Sequence, residues 1–135
     1  FGVAAQLAHA DMQAEAERLT RLRDYFLNRL AEVEPGYQLN GPLEDRIPNN
    51  LSIGFPGVDS RTFQKSLSRI GISVSISSAC SAKTNPDSHV LKAIGADTLT
   101  YGTVRFGFGR DTGKEDIDYL FEYLGEILDA LKRRQ

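Results

Sequence analysis

Sulfur, histidine and unbalanced charge are all scarce in this chain. There is one cysteine, Cys80, one methionine, no tryptophan and two histidines among 135 residues. A lone thiol forms no internal disulfide, so a reducing, cytoplasmic compartment is the expectation. One Cys with His9 and His89, far apart in sequence, matches no zinc-ligand spacing. Net charge is −2, which argues against a nucleic-acid partner, since that would need a clustered basic excess. No apolar run approaches the roughly 20 residues of a membrane span, so no membrane partner is expected. The 12 glycines and 5 prolines are no excess, which excludes fibrous repeats and low-complexity disorder. No N-terminal stretch reads as a signal peptide.

What is present suits one domain of modest core, residues 1–135. The chain opens Phe1-Gly2-Val3 and runs at once into helical pattern, without Met or a cap. It therefore reads as a piece of a longer protein. Residues 1–33 read as one helix: Leu19, Leu22, Phe26, Leu30 and Val33 recur at three- and four-residue steps. Glu17 and Arg21 are spaced for an i, i+4 pair, and Pro35-Gly36 ends the element. Its first ten residues are rich in small side chains and are expected to be poorly covered.

Two strands follow, at 37–40 and 50–55. In the second, Leu51, Ile53 and Phe55 alternate with Ser52 and Gly54. Asp59 is placed to cap a helix carrying Phe63, Leu67 and Ile70, stopped by Gly71. Ile72, Val74 and Ile76 suggest a third short strand. Asn85-Pro86 suggests the start of a short helix that buries Val90, Leu91 and Ile94 and ends at Gly95. A fourth strand is expected at 103–108. Thr112 and Glu115 have capping-box spacing for a last helix, whose apolar face is Ile117, Leu120, Phe121, Leu124, Ile127, Leu128 and Leu131. Lys132, Arg133 and Arg134 suit its negative end. The order α-β-β-α-β-α-β-α indicates an α+β fold: a small, mainly antiparallel sheet with helices on one face.

Residues 73–110 hold the candidate chemistry. A free cysteine is commonly a small buried hydrophobe. Around Cys80, however, Ser77, Ser78, Ala79, Ser81 and Ala82 offer nothing bulky to bury it against. Lys83 is a nearby cation that favours the nucleophilic thiolate. Arg105 has two readings as well. It can pair with a carboxylate such as Asp116. Alternatively, Val104, Phe106 and Phe108 face one way while Arg105, Gly107 and Gly109 face the other. That leaves a planar fork in open space, suited to bidentate capture of a small acid. A Cys80–His89 pair is conceivable, though a solvent-facing His89 is the simpler reading. The glycines at 107, 109 and 113 lack G-x-G-x-x-G spacing and suit a strand-to-helix turn.

The runs SSACSAKTNPDSHVLKAIG, VRFGFGR and TGKEDID, with RIPNNLSIGFPGVDS before them, resemble the C-terminal domain of cysteine desulfurases. These are class V aminotransferase-fold enzymes (the NifS/IscS-like group) that use pyridoxal phosphate (PLP). The resemblance covers nearly the whole chain. The spacing from Cys80 to Ser88-His89-Val90-Leu91 is similar to the subgroup with the longer loop, which typically serves iron–sulfur assembly. Pro86-Asp87 departs from that subgroup's usual Glu-Pro. The resemblance implies the small domain of a fold-type I PLP enzyme acting on L-cysteine. It implies Cys80 as nucleophile and persulfide carrier, Arg105 as the group that binds the substrate carboxylate, a sulfur-acceptor or scaffold protein as partner, and a homodimer when whole. The family's PLP-binding residues lie upstream of these motifs, and no lysine here follows a histidine as the Schiff-base lysine does. The chain alone is therefore expected to be inactive. A non-catalytic α+β binding module and a selenocysteine lyase are the alternatives.

Overall fold

The computed structural model describes residues 1–76 and 88–133. Helix α1 spans Gly2–Val33, and strands β1 (Gln38–Leu39) and β2 (Asn50–Pro56) follow. Then come helices α2 (Ser60–Arg69) and α3 (His89–Ala93), strand β3 (Tyr101–Gly107) and helix α4 (Lys114–Lys132). The strands form one antiparallel sheet in the order β1-β2-β3. In it Leu51 faces Phe106, Ser52 faces Arg105 and Ile53 faces Val104. The α+β architecture with a long first helix is the one expected.

Period-two alternation divides the sheet into two faces. Leu51, Ile53, Phe55, Val104 and Phe106 are buried against α1, α2 and α4. These helices contribute Phe26, Leu30, Phe63, Leu67, Phe121, Leu124 and Leu128 to the same core. Phe26 lies at the junction, its ring centroid 5.0 Å from that of Phe106, 5.8 Å from Phe108 and 5.2 Å from Phe121. The other face carries Ser52, Thr103 and Arg105.

Helix α2 shows how locally the chain specifies its ends. The Asp59 carboxylate accepts from the Thr62 N–H at 2.8 Å and from the Thr62 hydroxyl at 2.6 Å. At the far end Gly71 takes φ +81°. Its N–H donates to Ser68 and that of Ile72 donates to Leu67, a Schellman closure that needs the left-handed glycine. The hydrogen bonds from Thr62, the side chain's first, hold the Asp59 carboxyl below its ordinary range. A depressed carboxylate contributes stability above its unfolded pKa and loses it as pH falls through the folded one. Asp59→Ala is therefore expected to cost about 1 kcal/mol at neutral pH, by the usual worth of an N-cap. The difference should shrink in acid, as urea unfolding at pH 7 and below pH 3 would show. A difference that is equal at both pH values would contradict this.

Four local expectations are corrected. The strand at 72–76 does not form, and only Ser75 bridges Arg105. The neighbouring backbone is bound to α2 instead: the Ile72 N–H goes to Leu67, and the Gln64 amide donates to the Val74 carbonyl at 2.8 Å. The short helix begins at His89 with Ser88 as its cap; Asn85 and Pro86, from which it was expected to start, lie outside the described residues. It buries none of its residues: Val90 and Ile94 are 53% and 49% exposed. The cap of α4 is Gly113, whose N–H donates to Asp116 at 2.9 Å. Thr112 is not available for that role, because its hydroxyl accepts from the Gly109 N–H at 2.8 Å and closes the preceding turn. Glu17 accepts from Gln13 at 2.8 Å in place of Arg21, while Arg18 pairs with Glu15 at 2.8 Å.

Two further features agree with the sequence. Residues 1–14 are exposed on every side of α1, including Phe1, Val3, Leu7 and Met12. Lys132, in the last turn of α4, pairs with the buried Glu34 that ends α1. This ties the two helix ends together.

Candidate functional site

The polar face of β2 and β3 is not covered by the core helices. It forms the floor of a cleft of about 310 Å³, lined there by Ser52, Thr103 and Arg105 and walled on one side by Val90 and Leu91 of α3 and by Ile94, which caps that helix. The absence of a buried face on α3 therefore has a reason: its apolar side chains border the cleft, not the core. Asn40 anchors the floor. It is 5% exposed, and its amide nitrogen lies 3.1 Å from the Ser52 hydroxyl and 3.5 Å from that of Thr103. Its backbone N–H donates to the Ser52 carbonyl at 2.9 Å, which extends the β1–β2 pairing by one residue.

Arg105 is exposed on this open face, as the alternation requires, with Val104 and Phe106 buried behind it. A Cβ at Gly107 would meet nothing within 4 Å, so space does flank the guanidinium. Nη2 of Arg105 donates to the Ser75 hydroxyl at 3.3 Å. The backbones of the two residues exchange hydrogen bonds at 3.1 and 2.7 Å. Among the described residues no carboxylate pairs with Arg105. Asp116, the candidate partner, is occupied by the Gly113 N–H. A guanidinium fixed at its backbone and lacking an anion among the described residues is equipped to receive one from outside.

Cys80 lies outside the described residues. Ile76 and Ser88, the residues that flank that stretch, both line the cleft. His89 is exposed at the start of α3 and His9 is exposed on α1. Neither lines the cleft. Sequence reasoning missed Asn40, Arg46, Ser52 and Thr103. Ser52 and Thr103 carried a signal in their polar places on alternating strands. Asn40 and Arg46 reach the cleft through tertiary packing and carried none.

The residues of this cleft do not by themselves make a PLP site. No lysine lines it. Lys132 is paired with Glu34, and Lys114 lies over the Tyr25 ring, 4.8 Å from its centroid.

A family model described as aminotransferase class-V matches residues 1–120. The chain belongs to the class-V aminotransferase family. Within it, the chain is 39% identical over 133 residues to the cysteine desulfurase IscS of Dictyoglomus turgidum, covering 98% of this chain and 34% of that protein. It is 38% identical to cysteine desulfurase IscS 1 of Archaeoglobus fulgidus, covering 98% and 35%. A solved structure of a NifS-like protein matches with TM-score 0.77 at 30% identity, over 93% of this chain and 31% of the other. A NifS-like protein from Rickettsia africae matches with TM-score 0.79 at 21% identity, over 95% and 33%, a likeness of fold. The chain thus spans about a third of the length of these class-V relatives.

Proposed function

We propose that this chain is one domain, the small C-terminal domain of a PLP-dependent cysteine desulfurase, with its large PLP-binding domain supplied by sequence outside residues 1–135. In this reading Arg105 holds the carboxylate of L-cysteine. Cys80 takes the substrate sulfur: the substrate's C–S bond breaks, a new S–S bond forms, and cysteine plus thiol become L-alanine plus a persulfide, with atoms in balance. PLP, when bound, supplies the electron sink for that bond cleavage. The persulfide then serves a sulfur-acceptor or scaffold protein, in iron–sulfur assembly or another sulfur-transfer route. The whole enzyme works as a homodimer in the cytoplasm.

One observation carries the reading. The two described residues that flank the Cys80 stretch line the same cleft as an arginine that no carboxylate among the described residues pairs with. Kinship with named cysteine desulfurases supports it and does not favour a non-catalytic binding module. No helix among the described residues is long and apolar enough to cross a membrane, in keeping with a cytoplasmic enzyme.

The test joins these residues to the preceding two thirds of the Dictyoglomus relative. Cofactor absorbance would first confirm that the chimera is loaded with PLP. Alanine formed from L-cysteine is expected from the chimera and not from this chain alone. A loaded chimera that makes no alanine would overturn the proposal. Borohydride trapping of PLP on one specific lysine of the isolated chain would also contradict it. Equal or faster turnover of selenocysteine would move the reading to a selenocysteine lyase.

A further inference from the structure

A polar row crosses the open face of the sheet. Asn40 continues β1 and lies beside Ser52, which in turn faces Arg105 on β3. Thr103 stands two residues before Arg105 and so on the same face. All four line the cleft. Arg105 is exposed and Ser52 and Thr103 are half-buried, but Asn40 is buried at the bottom. A buried amide is costly to leave without hydrogen-bond partners. Here its nitrogen meets two hydroxyls, that of Ser52 at 3.1 Å and, less closely, that of Thr103 at 3.5 Å.

These contacts fix the sense of the hydroxyls. An amide nitrogen only donates, while a hydroxyl has one hydrogen to give and lone pairs to accept with. Ser52 and Thr103 therefore accept from Asn40, and each turns its own hydrogen away from the amide. Both residues border the cleft, so those hydrogens can point where Arg105 also presents N–H groups. An anion on this floor would meet one fixed charge and two O–H donors already oriented, an arrangement that needs little reorganisation on binding. One carboxylate has the capacity to accept from all three, since its two oxygens offer about four lone-pair sites. The row holds a single cation, so the match is to an acid with one carboxylate. Val90, Leu91 and Ile94 offer an aliphatic wall to the rest of such an acid.

We propose that the hydroxyls of Ser52 and Thr103 donate, with Arg105, to one bound carboxylate, and that Asn40 is the positioning residue that keeps both hydroxyls turned toward it. Ser52 and Thr103 touch the acid, and Asn40 acts only through them. This deepens the desulfurase reading, on which it rests for the identity of the acid, by completing the site for the carboxylate. It concerns binding and needs no turnover.

Acetate is the probe, with acetamide as an uncharged control of similar shape. Both would be titrated into this chain at constant ionic strength, with the backbone amide resonances of β2 and β3 followed by NMR. Acetate is expected to bind about 10-fold or more tightly than acetamide, the scale of a charge-assisted contact. Thr103→Val keeps the shape without the hydroxyl and should weaken acetate about 10-fold, whereas Thr103→Ser should keep most of the affinity. Ser52→Ala should act as Thr103→Val does. Asn40→Asp should weaken acetate most, because an ionised carboxylate only accepts: it draws both hydroxyl hydrogens inward and adds a negative charge. Amide dispersion of each variant checks that the fold is kept. Unchanged acetate affinity in a folded Thr103→Val, Ser52→Ala or Asn40→Asp chain would overturn the proposal. So would acetate that binds no more tightly than acetamide. In the PLP-loaded chimera, Thr103→Val should raise KM for L-cysteine and leave kcat little changed. A chimera that forms no alanine would sink the desulfurase reading and leave the acetate pattern intact, so the two failures are distinguishable.

Discussion

Cys80→Ala in the PLP-loaded chimera is expected to lower alanine formation from L-cysteine by at least about 10³-fold, the scale on which an enzyme loses its nucleophile. Binding of L-cysteine should persist, because in the proposed reading its carboxylate is held elsewhere, by Arg105. Cys80→Ser should be as inactive as the alanine variant. A hydroxyl does not ionise near neutral pH, and a thiolate is the far better nucleophile. Arg105→Ala should behave differently, lowering kcat/KM by about 10- to 100-fold, mostly through KM, since it removes a charge-assisted carboxylate contact. The two signatures separate a group that reacts from a group that holds. Turnover that survives Cys80→Ala would assign the sulfur to another acceptor. An unchanged KM in Arg105→Ala would detach that arginine from the substrate.

Phe26→Ala carries the largest expected loss of stability. Phe26 is 1% exposed and touches rings from β3, the turn after it and α4. It is therefore the point at which the long first helix is joined to the sheet and to the last helix. Truncating a buried phenylalanine costs about 3–5 kcal/mol, through lost transfer energy and the cavity left behind. A domain of this size has a total of roughly 5–15 kcal/mol, so the variant should be marginal or unfolded at room temperature. Guanidinium unfolding should show a much lower midpoint at an unchanged slope, the mark of lost stability without a changed denatured state. Phe26→Leu, which fills most of the volume, should fall well short of that loss. A midpoint shift for Phe26→Ala no larger than that of the surface variant Asp59→Ala would show that this ring cluster does not join the layers.

Much of the fold was legible because its signals are local. The three-and-four spacing of Leu19, Leu22, Phe26 and Leu30 reports a helix face without reference to any neighbour. The Asp59 cap and the Gly71 stop act within a single turn. The errors have one physical type: each arose where a backbone or side-chain group had two possible partners. The apolar alternation of Ile72, Val74 and Ile76 suits a strand, but the Gln64 side chain and the end of α2 claim the polar groups a neighbouring strand would need. Thr112 has the spacing of a cap, but its hydroxyl closes the turn before it. Val90 and Ile94 have core-like chemistry, yet α3 lies on the side of the sheet away from the core.

The site divides in the same way. Period-two alternation alone determined that Arg105 would stand away from Val104 and Phe106, because neighbouring side chains of a strand must point to opposite faces. That no carboxylate among the described residues answers it, that Asp116 is engaged elsewhere, and that Ile76, Ser88 and Arg46 border the same cleft were decided by tertiary structure. The reason is physical. A residue's face follows from the chain's own geometry, whereas its partners depend on which distant segments the core brings to that face.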